Sequence, residues 1–171
     1  MIATTSRQFD VVVLRGTPAG VASSVASARL GQTVVLVESH THIGGMSASG
    51  LGKSDIENRA MIGGLFREFT ERVWQYYIGR YGADSKNVEL CHDGYYTEPS
   101  VAETVFEQML GEQTTITVMK GWRLEAVSVV ESRLTVANVV DRQSGEKLTL
   151  QGQVFIDATY EGDLYAAAGA G

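Results

Sequence analysis

Two short apolar runs near the start of the chain predict buried strands. Residues Phe9–Leu14 form the first run and Thr33–Glu38 the second, and both are rich in β-branched residues. This composition is typical of strands buried on both faces of a parallel sheet. The segment between them, Val21–Leu30, has small side chains that let a helix lie close to a sheet, and Gly31 is suited to end that helix. The pattern therefore predicts a βαβ unit.

The middle of the chain alternates loops with helical patterns. Ser39–Gly52 is a polar, glycine-rich loop, and Leu65–Tyr77 then shows helical spacing of apolar residues. Residues 79–98 are polar and aromatic, and we interpret them as irregular. A further helix is predicted to begin at Ser100, because Ser100 and Glu103 have the spacing of a capping box.

The last third of the chain is rich in strand patterns. Four consecutive strands are predicted, at residues 115–120, 123–130, 133–141 and 146–150. We interpret them as an antiparallel meander spanning about residues 115–151. Val154–Asp157 then returns to the fully buried strand type. The predicted fold class is α/β: a Rossmann-like domain with a parallel sheet plus a β-meander, incomplete at its carboxyl end.

Composition narrows the classes of partner and compartment. The chain has 171 residues and a formal net charge of −6, with no separate basic stretch, which disfavours nucleic acid as a partner. No apolar run approaches the roughly 18 residues of a membrane helix, and no signal peptide is visible, so we expect a cytoplasmic protein that does not bind membranes. The lone Cys91 fits a reducing compartment, and the spacing of His40, His42 and His92 predicts no metal site.

The turn after the first strand carries the candidate chemistry. Its sequence, Arg15-Gly-Thr-Pro-Ala-Gly20, keeps only the last glycine of G-x-G-x-x-G, since Arg15 and Thr17 replace the first two. The context nevertheless matches a dinucleotide site: a strand precedes, a helix of small residues follows, and Glu38 lies about twenty residues on, where a carboxylate can accept ribose hydroxyls. An ordinary turn without a ligand is the alternative. Arg15 either adds a cation near the phosphates or imposes backbone strain.

Several motifs together resemble a known family. They are Asp10-Val-Val-Val with Thr17-Pro-Ala-Gly20, Ile43-Gly-Gly-Met46, Ile62-Gly-Gly-Leu-Phe-Arg-Glu-Phe, Glu98-Pro-Ser-Val-Ala-Glu103 and Phe155-Ile-Asp-Ala-Thr-Tyr-Glu-Gly-Asp163. The chain resembles the amino-terminal part of FAD-dependent oxidoreductases of the glutathione reductase and fumarate reductase flavoprotein type. More narrowly, it is similar to a bacterial branch with a Gly-Gly-Thr-Pro-Ala-Gly turn. The matches run from about residue 9 to residue 171.

The resemblance implies FAD as cofactor and assigns candidate residues to it. The pyrophosphate turn maps to Gly16, Thr17, Pro18, Ala19 and Gly20, and the ribose acid maps to Glu38, with Ser39 next in the chain. The double-glycine loop maps to Gly44, Gly45 and Met46, with His40 nearby. The adenine edge maps to Leu124, and the approach after the last strand maps to Ala158 and Thr159. Catalytic residues and the small-molecule substrate are not identified. Because family members continue for several hundred residues, we expect residues 1–171 to be the amino-terminal portion of the FAD-binding domain of a longer enzyme, without the substrate domain.

Two other functions stay open at this point. The chain could be an NAD-binding dehydrogenase domain, although the long loop and the meander after Glu38 argue against it. It could also be a non-catalytic remnant that has lost cofactor binding, with Arg15 as the sign of that loss. An incomplete domain would leave apolar surface uncovered, so we expect self-association.

Overall fold

The computed structural model describes residues 5–56 and 58–170. The strands are β1 (Thr5–Leu14), β2 (Val34–Glu38), β3 (Ile116–Lys120), β4 (Trp122–Val130), β5 (Arg133–Asp141) and β6 (Lys147–Asp157). The helices are α1 (Pro18–Arg29), α2 (Gly64–Tyr81), α3 (Lys86–Leu90), α4 (Pro99–Gly111) and α5 (Asp163–Ala167), together with short 3₁₀ helices at Gly45–Ala48 and Arg59–Met61.

The six strands form one sheet in the order β3-β2-β1-β6-β5-β4. β3, β2, β1 and β6 run parallel, whereas β6, β5 and β4 pair antiparallel. This confirms the predicted α/β fold with a parallel sheet and an antiparallel meander. Leu14 is in register with Val37 on one side and Asp157 on the other. The segments that follow β1, β2 and β6 therefore emerge at one edge of the sheet.

Strand β1 separates two apolar clusters, one on each face of the sheet. Val11 and Val13 point to the face covered by α1, α2 and α4, while Val12 and Leu14 point to the face covered by the meander. This alternation follows from the two-residue period of a strand. Because both faces are buried, the strand is apolar at every position from Val11 to Leu14, as the sequence predicted.

The meander differs from the prediction in two ways. Residues 116–120 form β3, which pairs parallel with β2, so the meander begins at Trp122 and has three strands rather than four. The predicted strands 146–150 and 154–157 are one continuous strand, β6. The first half of β6 pairs with both β5 and β1, and its second half pairs, among the strands described above, with β1 alone. Polar residues around Gly152 interrupt the apolar pattern, which is why the sequence predicted two strands. Gly152 lies close to β1, because a Cβ at this position would lie 2.9 Å from Val12 Cγ2.

The helices also depart from the prediction. α2 continues to Tyr81, and Gly82 ends it with a positive φ of 88°. α3 lies inside the segment interpreted as irregular. α4 begins at Pro99 with Glu98 as its N-cap, and no side chain in the described part of the chain caps it, so the predicted Ser100–Glu103 capping box is wrong. The Glu103 carboxylate instead accepts the N–H of Ile43 at 3.1 Å.

Candidate functional site

The turn after β1 is fixed by Thr17, the N-cap of α1. The Thr17 hydroxyl accepts the N–H of Gly20 at 3.2 Å and donates to the carbonyl of Ala158 at 2.8 Å. Both bonds lie inside the protein, and Thr17 is buried. The side chain of Thr17 therefore joins the turn to the end of β6, and Pro18 begins the helix at a position where a missing N–H costs nothing.

At two glycines of this turn a Cβ would collide with neighbouring atoms. A Cβ at Gly20 would lie 1.9 Å from the carbonyl oxygen of Arg15, and one at Gly16 would lie 2.6 Å from Ile43 Cδ1. The first of these contacts is with backbone, which cannot move aside cheaply. The N–H groups of Thr17 and Ala19 have no acceptor among the residues that the structure describes. The turn thus has the close backbone and free donors of an anion-binding helix start.

Glu38 lies at the end of β2, directly beside the turn. Its Oε2 accepts the N–H of Gly16 at 2.8 Å, and its Oε1 accepts the N–H of His40 at 2.8 Å. The residue is buried, with 4% of its surface exposed. Glu38 therefore connects the glycine-rich turn to the loop that follows β2.

Arg15 adopts a positive φ of 83°, a conformation that favours glycine. For a residue with a Cβ this costs roughly 1–2 kcal/mol. Its guanidinium contacts the hydroxyl of Ser39, and Nη1 lies 3.5 Å from Glu38 Oε1. Both sequence interpretations of Arg15 therefore have a structural basis: the backbone is strained, and the cation lies at the site.

The double-glycine loop packs against the turn and against the segment after β6. The N–H of Gly44 donates to the carbonyl of Gly16 at 2.7 Å, and the N–H of Met46 donates to the hydroxyl of Tyr160 at 2.9 Å. A Cβ at Gly45 would lie 2.3 Å from that hydroxyl oxygen. Tyr160 lies within one of the motifs that carry the family resemblance, but the sequence predicts no role for it, because a contact across 114 residues leaves no local signal.

The segment after β6 is organised by Asp157, which sequence reasoning also missed. One carboxylate oxygen accepts the N–H and the hydroxyl of Thr159, and the other accepts the N–H groups of Leu164 and Tyr165. Burial opposes ionisation, but these hydrogen bonds outweigh it and hold the pKa of Asp157 below its usual value. The N–H of Ala158 donates to the carbonyl of Leu14 at 3.0 Å, which keeps this segment beside the turn.

Two neighbouring cavities open where these segments meet. One, of about 540 Å³, is lined by four of the predicted site residues: Ser39, His40, Leu124 and Thr159. The other, of about 410 Å³, is lined by five: Thr17, Glu38, His40, Gly45 and Met46. Arg15 lines both.

The remaining predicted residues lie outside the walls of these two cavities. They are Gly16, Pro18, Ala19, Gly20, Gly44 and Ala158. Pro18 lines a separate apolar cavity of about 360 Å³ between α1, α2 and α4. The others belong to the turn after β1, to the double-glycine loop and to the end of β6.

Two of the remaining candidates for chemistry lie on different segments of the chain: His42 follows β2, and Cys91 follows α3. His42 Nδ1 lies 3.0 Å from the carboxylate of Glu103, while Cys91 is buried and its pKa is raised by that burial. Within residues 5–56 and 58–170, no three His, Cys, Asp or Glu side chains are grouped as metal ligands. No helix in the same ranges has the length and apolarity to cross a membrane.

Comparison with protein families agrees with this geometry. The profile of the FAD dependent oxidoreductase family matches residues 10–171. The chain belongs to this family. FAD is therefore the cofactor of the group of proteins to which the chain belongs, as its motifs predicted. No curated protein gave a match.

Solved structures with the same fold include several flavoenzymes. The chain matches the flavin-dependent monooxygenase PieE, solved with FAD and substrate, with a TM-score of 0.64 and 14% identity over 95% of this chain and 32% of that one. It matches E. coli quinol fumarate reductase FrdA with a TM-score of 0.56 and 12% identity, over 91% and 33%. L-proline dehydrogenase from P. horikoshii matches with a TM-score of 0.57 and 14% identity, over 93% and 24%. The chain thus spans about a quarter to a third of the length of the chains in these structures.

Proposed function

We propose that this chain binds FAD and forms the amino-terminal portion of the FAD-binding domain of a flavin-dependent oxidoreductase. The observation that carries the proposal is the convergence of three segments on two adjoining cavities: the turn after β1, the loop after β2 and the segment after β6. Family membership supports FAD as the ligand. When bound, the flavin would supply the hydride or electron transfer, and the protein would supply position and electrostatics.

The residues present fit such a ligand. The close backbone at Gly20, the free N–H groups of Thr17 and Ala19, and the start of α1 suit a diphosphate. Glu38 at the end of β2 suits the adenosine ribose, and Leu124 in the wall of the larger cavity suits the adenine. We assign Ser39, His40 and Thr159 to the same end of the ligand, and Gly45 and Met46 to the end nearer the flavin ring.

Reconstitution tests the proposal. Purified protein mixed with FAD should show a perturbed flavin spectrum and keep near-stoichiometric FAD after desalting. NAD⁺ and riboflavin serve as control ligands. NAD⁺ has a different ring system, and riboflavin lacks the diphosphate and the adenosine. Saturable binding of NAD⁺ with no binding of FAD would favour a dehydrogenase domain, and no binding of either by the folded chain would favour a remnant.

We further propose that the longer enzyme to which the chain belongs is soluble, lies in the cytoplasm and acts on a small molecule. Neither nucleic acid nor a membrane is among its proposed partners. Several large apolar side chains are exposed, including Leu30, Met61 and Val154. They support self-association of the isolated chain, which sedimentation velocity would detect as a concentration-dependent rise in mass.

A further inference from the structure

Arg15 stands where the two cavities of the candidate site meet. It lines both the cavity that contains Leu124 and the cavity that contains Met46, and His40 is the other residue of 5–56 and 58–170 that lines both. A ligand long enough to occupy both cavities would therefore lie against the Arg15 guanidinium. In a dinucleotide, the part at such a midpoint is the diphosphate.

The guanidinium is already engaged with the residue proposed to hold the ribose. Its Nη1 contacts the Ser39 hydroxyl and lies 3.5 Å from Glu38 Oε1. The Glu38 carboxylate also accepts the N–H groups of Gly16 and His40 and lies 3.3 Å from the Ser39 hydroxyl. A carboxylate offers about four lone-pair sites. Glu38 therefore has little capacity left for ribose hydroxyls while Arg15 and Ser39 remain in place.

The fold itself gives no reason for an arginine at this position. The φ of 83° favours glycine, and the side chain is partly exposed, at 28%, rather than packed in a core. Its polar contacts are with Ser39 and Glu38, both of which line the cavities. The polar contacts of its side chain therefore lie within the candidate site.

We propose that Arg15 is an exchangeable counter-ion: it neutralises Glu38 in the unliganded chain and moves to the diphosphate of a bound dinucleotide, which frees Glu38 for the ribose hydroxyls. The proposal rests on the proposed function, because it takes the dinucleotide site as given. A guanidinium suits both partners, since its planar array of donors matches carboxylate and phosphate oxygens. Without Arg15, the Glu38 carboxylate and the diphosphate would face each other as like charges.

Ligand binding to charge variants tests the exchange. FAD, ADP and adenosine are titrated by calorimetry into the wild type, Arg15→Gln, Arg15→Lys and the control Arg7→Gln, which alters an exposed arginine of β1. Arg15→Gln should weaken the binding of FAD and ADP about tenfold at low salt, because a phosphate contact is lost. For the same reason, the affinity of this variant for both ligands should depend less on the KCl concentration. Arg15→Lys should keep the salt dependence, and Arg7→Gln should match the wild type. Adenosine binding should not weaken in Arg15→Gln.

A second readout follows the guanidinium itself. In nitrogen-15 NMR spectra, the Arg15 side-chain signal should shift on addition of ADP, and it should shift without ligand in Glu38→Gln. FAD binding that is equal or tighter in Arg15→Gln overturns the exchange and leaves the proposed function standing. If no folded variant binds FAD, the proposed function and the exchange both fail. Thermal melts of each variant establish that it is folded.

Discussion

The backbone N–H of Gly16 donates to Glu38 Oε2 at 2.8 Å. This bond joins the turn after β1 to the end of β2, and the second oxygen of Glu38 accepts the N–H of His40 in the next loop. One buried carboxylate thus organises three pieces of backbone at the same edge of the sheet. Hydrogen bonds to a charged acceptor in a buried setting are among the stronger ones in proteins.

Thr17→Ala should destabilise the chain by about 1–3 kcal/mol, because it removes the cap of α1 and the bond to Ala158. Thr17→Ser keeps both bonds and should lose much less. The free energy of unfolding from urea titrations gives the comparison. Thr104→Ala, which alters an exposed helical hydroxyl, is the control. Equal stability of Thr17→Ala and the wild type would contradict the role of this hydroxyl.

Tyr160→Phe should loosen the double-glycine loop and leave the rest of the fold intact. The variant removes the acceptor of the Met46 N–H, which costs about 1 kcal/mol locally. Hydrogen exchange at the Met46 amide should accelerate several-fold, whereas Tyr165→Phe, which alters an exposed ring of α5, should leave it unchanged. An unchanged Met46 amide in Tyr160→Phe would show that the contact does not form in solution.

Asp157→Asn should destabilise the segment after β6. Four hydrogen bonds from Thr159, Leu164 and Tyr165 reach this carboxylate, and an amide can accept at only one of its two positions. We expect a loss of about 2 kcal/mol in unfolding free energy. Asp163→Asn, which alters the first residue of α5, serves as the matched control and should cost less. The reverse order would contradict the assignment.

The surface ion pairs of Glu68 with Arg29 and Arg72 should make the free energy of unfolding depend on pH in the acidic range. Hydrogen bonds from Arg29 and Arg72 lower the pKa of Glu68 from 4.5 to about 2, with the bond from Arg29 contributing most. Partial burial acts in the opposite direction but is outweighed. Because the folded-state pKa is the lower one, this stabilisation is full above the unfolded pKa and disappears as pH falls from 4.5 towards 2.

Glu68→Gln should therefore lose about 1 kcal/mol at neutral pH, and the difference from the wild type should shrink through that acidic range. The exposed i,i+4 pair of Arg67 and Glu71 offers the control Glu71→Gln, which should show a smaller difference. Urea titrations at a series of pH values make the measurement. A difference between wild type and Glu68→Gln that is independent of pH would rule out the network as its cause.

The fold was predictable where burial leaves a local pattern in the sequence. β1, α1 and β2 were identified because both faces of these strands are apolar and the helix between them has small residues. β3 was assigned to the meander because its pairing with β2 depends on α4 carrying the chain back across the sheet, which no local pattern records. The capping box at Ser100 failed because Glu103 makes its bond to Ile43, in a distant loop.

The candidate site likewise divides into features that leave a local signal and features that do not. Spacing predicted that the turn ending at Gly20 and Glu38 lie at the same edge of the sheet, since a turn and a strand end must lie at fixed separations in a βαβ unit, and the structure places them there. Family membership and FAD were found from motifs that the family profile bears out. Tyr160 and Asp157 were missed, because their contacts depend on how β6 delivers its carboxyl end to the turn. The assignment of individual residues to FAD stays a prediction.

The most direct test of the central claim is the FAD dissociation constant of Glu38→Gln beside that of the wild type and Glu71→Gln, by flavin fluorescence titration. Glu38→Gln keeps the side-chain size and removes the charge. We predict saturable FAD binding by the wild type and by Glu71→Gln, and affinity at least tenfold lower for folded Glu38→Gln, which corresponds to about 1.4 kcal/mol. Equal FAD affinity in all three proteins would contradict the account.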